Sequence, residues 1–129
     1  MHFHAAYAGD VRSIALARRG IAGFARDCGL SEEAISDIRL AAGEALNNAV
    51  EHGCAAAEPS IAVDCTFDGA ELTITIEDSG RGFPEPSDRQ SVTPNDRGRG
   101  FGIFLMRRLM DDVSFARNGS MVRLVRRHP

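Results

Sequence analysis

The chain has no lysine and no tryptophan. The first absence excludes any mechanism that needs a catalytic lysine. All 15 basic side chains are therefore arginine, and the formal net charge is only -3. That balance argues against direct nucleic-acid binding, which needs clustered excess positive charge to meet phosphates. Cysteine is sparse as well: Cys28, Cys54 and Cys65 are odd in number and lack C-x-x-C spacing. They make a poor disulfide framework and a poor zinc site, so a reducing cytoplasm is the expected location. No apolar run approaches the roughly 20 residues that span a bilayer. The opening "MHFHAAYAGD" has no basic region followed by an apolar stretch, so it does not read as a signal peptide. His2 and His4 could be read as metal ligands. With no third ligand near them in sequence, alternate positions on a first strand are the preferred reading.

What is present fits one soluble globular domain, residues 1–129, large enough to bury a core. Residues 2–7 read as a short strand. From Asp10, a good N-cap, apolar residues recur at Val11, Ile14, Ile21, Phe24 and Cys28, and Gly29 is placed to end the helix. Ser31 caps a second helix, with Glu32 and Glu33 favourable to its dipole; this helix runs to Gly53. Ile61, Val63, Cys65 and Phe67 alternate along one strand. After an Asp68-Gly69 turn, Leu72, Ile74 and Ile76 alternate along the next. Residues 101–110 look helical, and a last hairpin turns at Asn118-Gly119. The order predicts an α/β (α+β) two-layer sandwich: one mixed, mostly antiparallel sheet with helices on one face.

Residues 79–99 form a long loop rich in Gly, Pro, Asp and Ser, and loops of that length are usually functional or disordered. Two glycine motifs bracket it. "DSGRG", Asp78 to Gly82, ends a strand. "GRGFG", Gly98 to Gly102, opens a helix. Glycine lets backbone approach a ligand closely, and free amides at a helix N-terminus attract anions. A carboxylate at a strand end can accept a hydrogen bond from an exocyclic amine. A nucleotide suits this set, with adenine at Asp78 and phosphates at the second motif.

The helix segment "GEALNNAVEHG", residues 43–53, supplies a further part. Glu44 and Asn48 are four apart and so share one helical face, and Glu51 and His52 extend roughly the same side. An amide oxygen suits Mg²⁺, which keeps several waters while bridging phosphates. A carboxylate one turn away can orient or deprotonate an attacking hydroxyl. The bland alternative, the wet face of an amphipathic helix, loses ground once both glycine motifs follow in this order.

"EALNNAVEHG", "DSGRG", "GRGFGIFLMRRLMDDV" and "NGSMVRL" together resemble the N box and two glycine boxes of the GHKL ATPases, which have the Bergerat fold. The short length and E-x-x-x-N form resemble the stand-alone anti-sigma factor serine/threonine kinases of the RsbW and SpoIIAB type. The resemblance implies ATP/ADP and Mg²⁺ as cofactors. It implies a homodimer that sequesters a sigma factor and phosphorylates a STAS-type anti-anti-sigma protein, with a lid over about residues 79–99. By position, Glu44 is the implied general base and Asn48 the Mg²⁺ and nucleotide ligand. Asp78 is the adenine contact, with Gly80 and Gly82 shaping that pocket. Gly98, Arg99, Gly100, Phe101 and Gly102 line the phosphates, and Ser120 stands where relatives often have threonine. Arg97 and Arg99 are read as solvated loop charge or as phosphate or partner contacts. Two alternatives remain at this point: a nucleotide-binding regulatory module with little kinase activity, and a detached histidine-kinase ATPase domain.

Overall fold

The computed structural model describes residues 1–53, 58–79 and 99–128. Three helices and five strands follow in the order β1 (His2–Ala8), α1 (Arg12–Asp27), α2 (Glu32–Gly53), β2 (Ser60–Phe67), β3 (Glu71–Asp78), α3 (Arg99–Leu109), β4 (Asp112–Ala116) and β5 (Met121–Arg127). The strands form one sheet in the order β1-β2-β3-β5-β4. All four pairings are antiparallel, in keeping with the mostly antiparallel sheet expected from the sequence, and no parallel pair occurs among the described strands. For two of the pairs the physical reason is local. Each of the pairs β2–β3 and β4–β5 is joined by a short turn, and short turns permit only antiparallel neighbours.

Local chemistry explains the element ends. The α1 helix starts two residues after Asp10, whose Oδ1 accepts from the Arg12 backbone N–H at 3.0 Å. It closes with two bonds, Gly29 N to Arg26 O and Leu30 N to Ala25 O, the pattern of a helix stop with a left-handed residue after the cap. Gly29 supplies that residue at φ +87°, a conformation that strains residues bearing a Cβ. Ser31 Oγ accepts from Ala34 N at 3.1 Å, as an N-cap should. In the β2–β3 turn, Asp68 Oδ1 accepts from the backbone of both Ala70 and Glu71 at 2.8 Å. Those two bonds hold the Asp68 carboxyl below its ordinary range.

One face of the sheet carries the core. Ile61, Val63 and Cys65 of β2, Leu72, Ile74 and Ile76 of β3, and Val122 and Leu124 of β5 are buried beneath the helices. Burying each large aliphatic side chain contributes about 1.5–3 kcal/mol. From β1, Phe3 and Tyr7 pack toward α1, with Phe3 against Phe24 at 6.0 Å between centroids. Val11 departs from the expected apolar stripe, because it precedes the helix and is 69% exposed. The other sheet face is polar. His2 and His4 occupy alternate positions of β1 and both reach Asp64 Oδ1, at 2.6 and 3.4 Å. The His2 hydrogen bond is the main cause of a lowered Asp64 pKa.

Arg126 ties three elements together. Its Nη1 donates to Asp37 Oδ2 of α2 at 2.8 Å and to the Leu109 carbonyl of α3 at 2.7 Å. No described helix is long and apolar enough to cross a membrane.

Candidate functional site

The α2 helix crosses the sheet so that its last turns lie over the end of β3, beside α3. Its residues run apolar toward the sheet: Ala42, Ala45, Leu46 and Ala49 are all buried. Small residues at 42, 45 and 49 let the helix approach β3 and α3 closely. On that face one polar residue is also buried, Asn48, at 8% exposure. It lines a pocket with Asp78 of β3, Ser120 before β5, and the apolar side chains of Ile76, Met106, Phe115 and Val122. The structure thus brings together three of the residues singled out from sequence, from segments 30 and 42 positions apart in the chain.

Strand register sets the relation of Asp78 to Ser120. The Asp78 backbone N–H donates to the Ser120 carbonyl at 2.8 Å, extending the β3–β5 ladder by one step beyond Glu77 and Met121. Both side chains are buried. Ser120 Oγ donates to the Arg117 carbonyl at 2.9 Å, closing the 3-10 turn over Arg117–Gly119. Its hydroxyl proton is therefore committed to the turn, and what remains for a ligand is acceptor capacity.

Asn48 offers the pocket a buried polar group that protein neighbours do not engage. Its Nδ2 is buried and has no hydrogen-bond partner, a cost of about 1–3 kcal/mol if left unmet. A turn of the amide presents Oδ1 at that position instead. Mg²⁺ takes one or two protein oxygens and completes its shell with water and phosphate, so a single buried amide suits it. Among the described residues no group of three or more His, Cys, Asp or Glu could hold a metal by itself.

Glu44 lies one turn before Asn48 and is half-buried. Its carboxylate sits against α3: a Cβ placed on Gly102 would lie 2.8 Å from Glu44 Oε2. Gly102 belongs to the first turns of α3, whose N-terminal amides and dipole favour negative charge. The second glycine motif and the helix carboxylate therefore touch, which sequence spacing alone could not establish. Phe101 is half-buried and stacks on Phe104 at 6.4 Å. Arg99 and Gly100 open α3. Gly80, Gly82, Arg97 and Gly98 lie outside the described residues, as does nearly all of the 79–99 loop. Glu51 is exposed and His52 half-buried.

Sequence reasoning missed the apolar walls of the pocket. Met106 and Phe115 carried no distinguishing signal, because Met106 recurs at helical spacing like ordinary core and Phe115 alternates like ordinary strand.

The chain matches the histidine kinase-like ATPase domain family over residues 7–126. It is 33% identical over 109 residues to serine-protein kinase RsbW of Listeria monocytogenes, covering 78% of this chain and 69% of the relative. It is 34% identical over 109 residues to the RsbW of Oceanobacillus iheyensis, with the same coverage. Against the RsbW of Bacillus cereus it is 28% identical over 123 residues, covering 89% of this chain and 77% of the relative.

Proposed function

From the chain's membership of the histidine kinase-like ATPase domain family, we propose that it is an ATP-dependent serine/threonine protein kinase that doubles as an anti-sigma factor. It phosphorylates a STAS-type anti-anti-sigma partner and sequesters a sigma factor when that partner is absent. The observation that carries this reading is the meeting of Asn48, Asp78 and Ser120 in one pocket with Glu44 beside Gly102. The relatives named as serine-protein kinases support it.

Each residue then has a task. Asp78 accepts from the exocyclic amine of adenine, while Ile76, Met106, Phe115 and Val122 enclose the ring. Asn48 would hold Mg²⁺, which neutralises charge on the transferring phosphoryl group. Glu44 accepts the proton of the incoming Ser or Thr hydroxyl. Most phosphoryl-transfer catalysis is positioning and electrostatics, and a positioned base typically supplies about 10²–10⁴-fold. The reading extends to a homodimer, since β1 lies at a sheet edge and an unpaired edge can pair with a second copy. Light scattering giving a concentration-independent mass of 13.9 kDa would remove that part.

The test of the kinase reading is labelled-ATP transfer to a cognate STAS protein. Glu44→Gln should keep ATP affinity and cut transfer by roughly 10²–10⁴-fold. Parallel loss of both would make Glu44 a structural pocket residue. Unchanged transfer would leave a nucleotide-gated binding module in its place. Phosphate on the partner that fails to survive acid would point to histidine-kinase chemistry.

A further inference from the structure

Among the described residues, Arg117 is the one non-glycine residue in the left-handed region, at φ 53°. It opens the 3-10 turn Arg117–Gly119 between β4 and β5, just ahead of Ser120 at the pocket. A Cβ strains that conformation. Gly119 in the same turn is also left-handed, at φ 87°, and bears no such cost. The chain nevertheless places arginine at 117. Arg117 Nη1 donates to Glu77 Oε2 at 2.6 Å. The arginine side chain is 66% exposed and the glutamate 30%. An ion pair in that much solvent contributes little stability, no more than the left-handed backbone costs. Stability therefore does not account for arginine here, and strain kept without a net gain in stability points to function.

The contacts around Arg117 show what the pair does. Burial alternates along β3, with Leu72, Ile74, Ile76 and Asp78 beneath the helices and Glu77 on the open face of the sheet. Arg117 thus grips β3 from the side opposite the pocket, one residue before Asp78. Its carbonyl accepts twice from Ser120, from the backbone N–H at 3.2 Å and from Oγ at 2.9 Å. The Ser120 carbonyl in turn accepts from the Asp78 N–H at 2.8 Å. The contacts close a ring that runs from Asp78 through Glu77, Arg117 and Ser120 back to Asp78. Within that ring the Arg117 carbonyl decides where the Ser120 hydroxyl proton points.

We propose that Arg117 is a positioning residue for base recognition: clamped to Glu77, it holds the turn so that the pocket accepts an amino group and rejects a carbonyl oxygen. The proposal rests on the reading of the Asn48–Asp78–Ser120 pocket as the nucleotide site. With its proton held by the turn, Ser120 Oγ presents lone pairs, as the Asp78 carboxylate does. The exocyclic amine of adenine brings hydrogens to that pair of acceptors. A purine with a carbonyl oxygen at the same place brings a further acceptor, and a buried polar group left without a partner is costly. A loosened turn frees the Ser120 hydroxyl to rotate and donate to that oxygen, so the wrong base is tolerated. Arg117 acts through Ser120 and touches no part of the nucleotide.

The test compares ATP with inosine triphosphate, which carries a carbonyl oxygen in place of the exocyclic amine, by calorimetry on the full chain. Wild type should prefer ATP. Arg117→Gln and Glu77→Gln should each narrow that preference by about three- to tenfold, what one hydrogen bond contributes. Arg117→Lys keeps the charge and should lie closer to wild type. Arg117→Gly separates specificity from stability: it relieves the left-handed strain, so the melting temperature should hold while the preference narrows. A second readout needs no nucleotide. Hydrogen exchange at the Asp78 and Ser120 amides should quicken in Arg117→Gln, because the ring is opened. A wild-type preference in both Arg117→Gln and Arg117→Gly would overturn the proposal. So would an equal loss of affinity for the two nucleotides, the mark of a merely structural role. Unchanged exchange at both amides would overturn the clamp. A wild-type protein indifferent to the two nucleotides would remove the nucleotide reading of the pocket and the specificity role with it, and the exchange measurement would still judge the clamp by itself.

Discussion

Gly102→Ala separates the fold from the chemistry. Alanine suits a helix interior better than glycine by about 0.5–1 kcal/mol, so the backbone should gain. The new Cβ would lie 2.8 Å from Glu44 Oε2, whereas ordinary contact begins near 3.4 Å, so the carboxylate must retreat by 0.6 Å or more. Glu44 Oε2 is the far end of a flexible side chain. Its retreat costs about 0.5–1.5 kcal/mol of rotamer strain, nearly cancelling the helix gain. The melting temperature should therefore move by only a few degrees either way. Transfer should fare worse. A displacement of about 1 Å in a reacting group can cost roughly 10²-fold, so the rate to a STAS partner should fall by about 10–100-fold. The assay is single-turnover transfer from labelled ATP, beside calorimetric ATP binding and a thermal melt on the same variant. Wild-type transfer by Gly102→Ala would refute the placement of Glu44 as base. A loss of ATP affinity matching the loss of transfer would mean that Gly102 serves phosphate approach instead.

The remaining expectations concern the pocket and the core. Asp78→Asn should weaken ATP by about 1–3 kcal/mol through a mispaired contact, and wild type should prefer ATP to GTP in calorimetry. Asn48→Ala should leave the melt nearly unchanged, because it removes an amide whose nitrogen has no partner, yet abolish the Mg²⁺ dependence of nucleotide binding. Cys65 is buried, and burial pushes its thiol from an ordinary 9.0 up to about 12. A thiol that ionises later in the fold than in the unfolded chain stabilises the fold fully below pH 9.0, and that stability is lost as pH rises toward about 12. Denaturant titrations across that window should show the decline, and Cys65→Ala should flatten it.

Much of this was legible in the sequence because it is local. Ser31, Gly29 and Asp68 act on residues two to four positions away, and each performs its expected bond. The spacing of Glu44 and Asn48 placed both on α2, and the alternation through Ile74 and Ile76 fixed which strand face is buried. What was not legible is tertiary. No periodicity says that Glu44 meets Gly102, or that Arg18 of α1 lies across Gly43. Apolar identity also misleads at ends: Val11 fits the spacing of α1 but stands ahead of its first turn, in solvent. Short turns at Asp68-Gly69 and Asn118-Gly119 make β2–β3 and β4–β5 antiparallel, whereas β1–β2 and β3–β5 are joined through helices, and no local signal says which way those strands run.

The bonds of Arg126 have a mechanical meaning. It fastens the start of α2 at Asp37, the end of α3 at Leu109, and its own strand β5, with side chains only 21% and 27% exposed at the ion pair. The pocket proposed to take the nucleotide lies toward the other end of α2, at Asn48, and beside Ser120 at the start of β5. Asp37 and Asn48 are 11 residues apart, about 16 Å along a helix. The arrangement is a pair of tongs with its rivet at Arg126. Arg126→Ala would loosen the rivet, and the jaws would then lose their fixed spacing although no residue in them had changed.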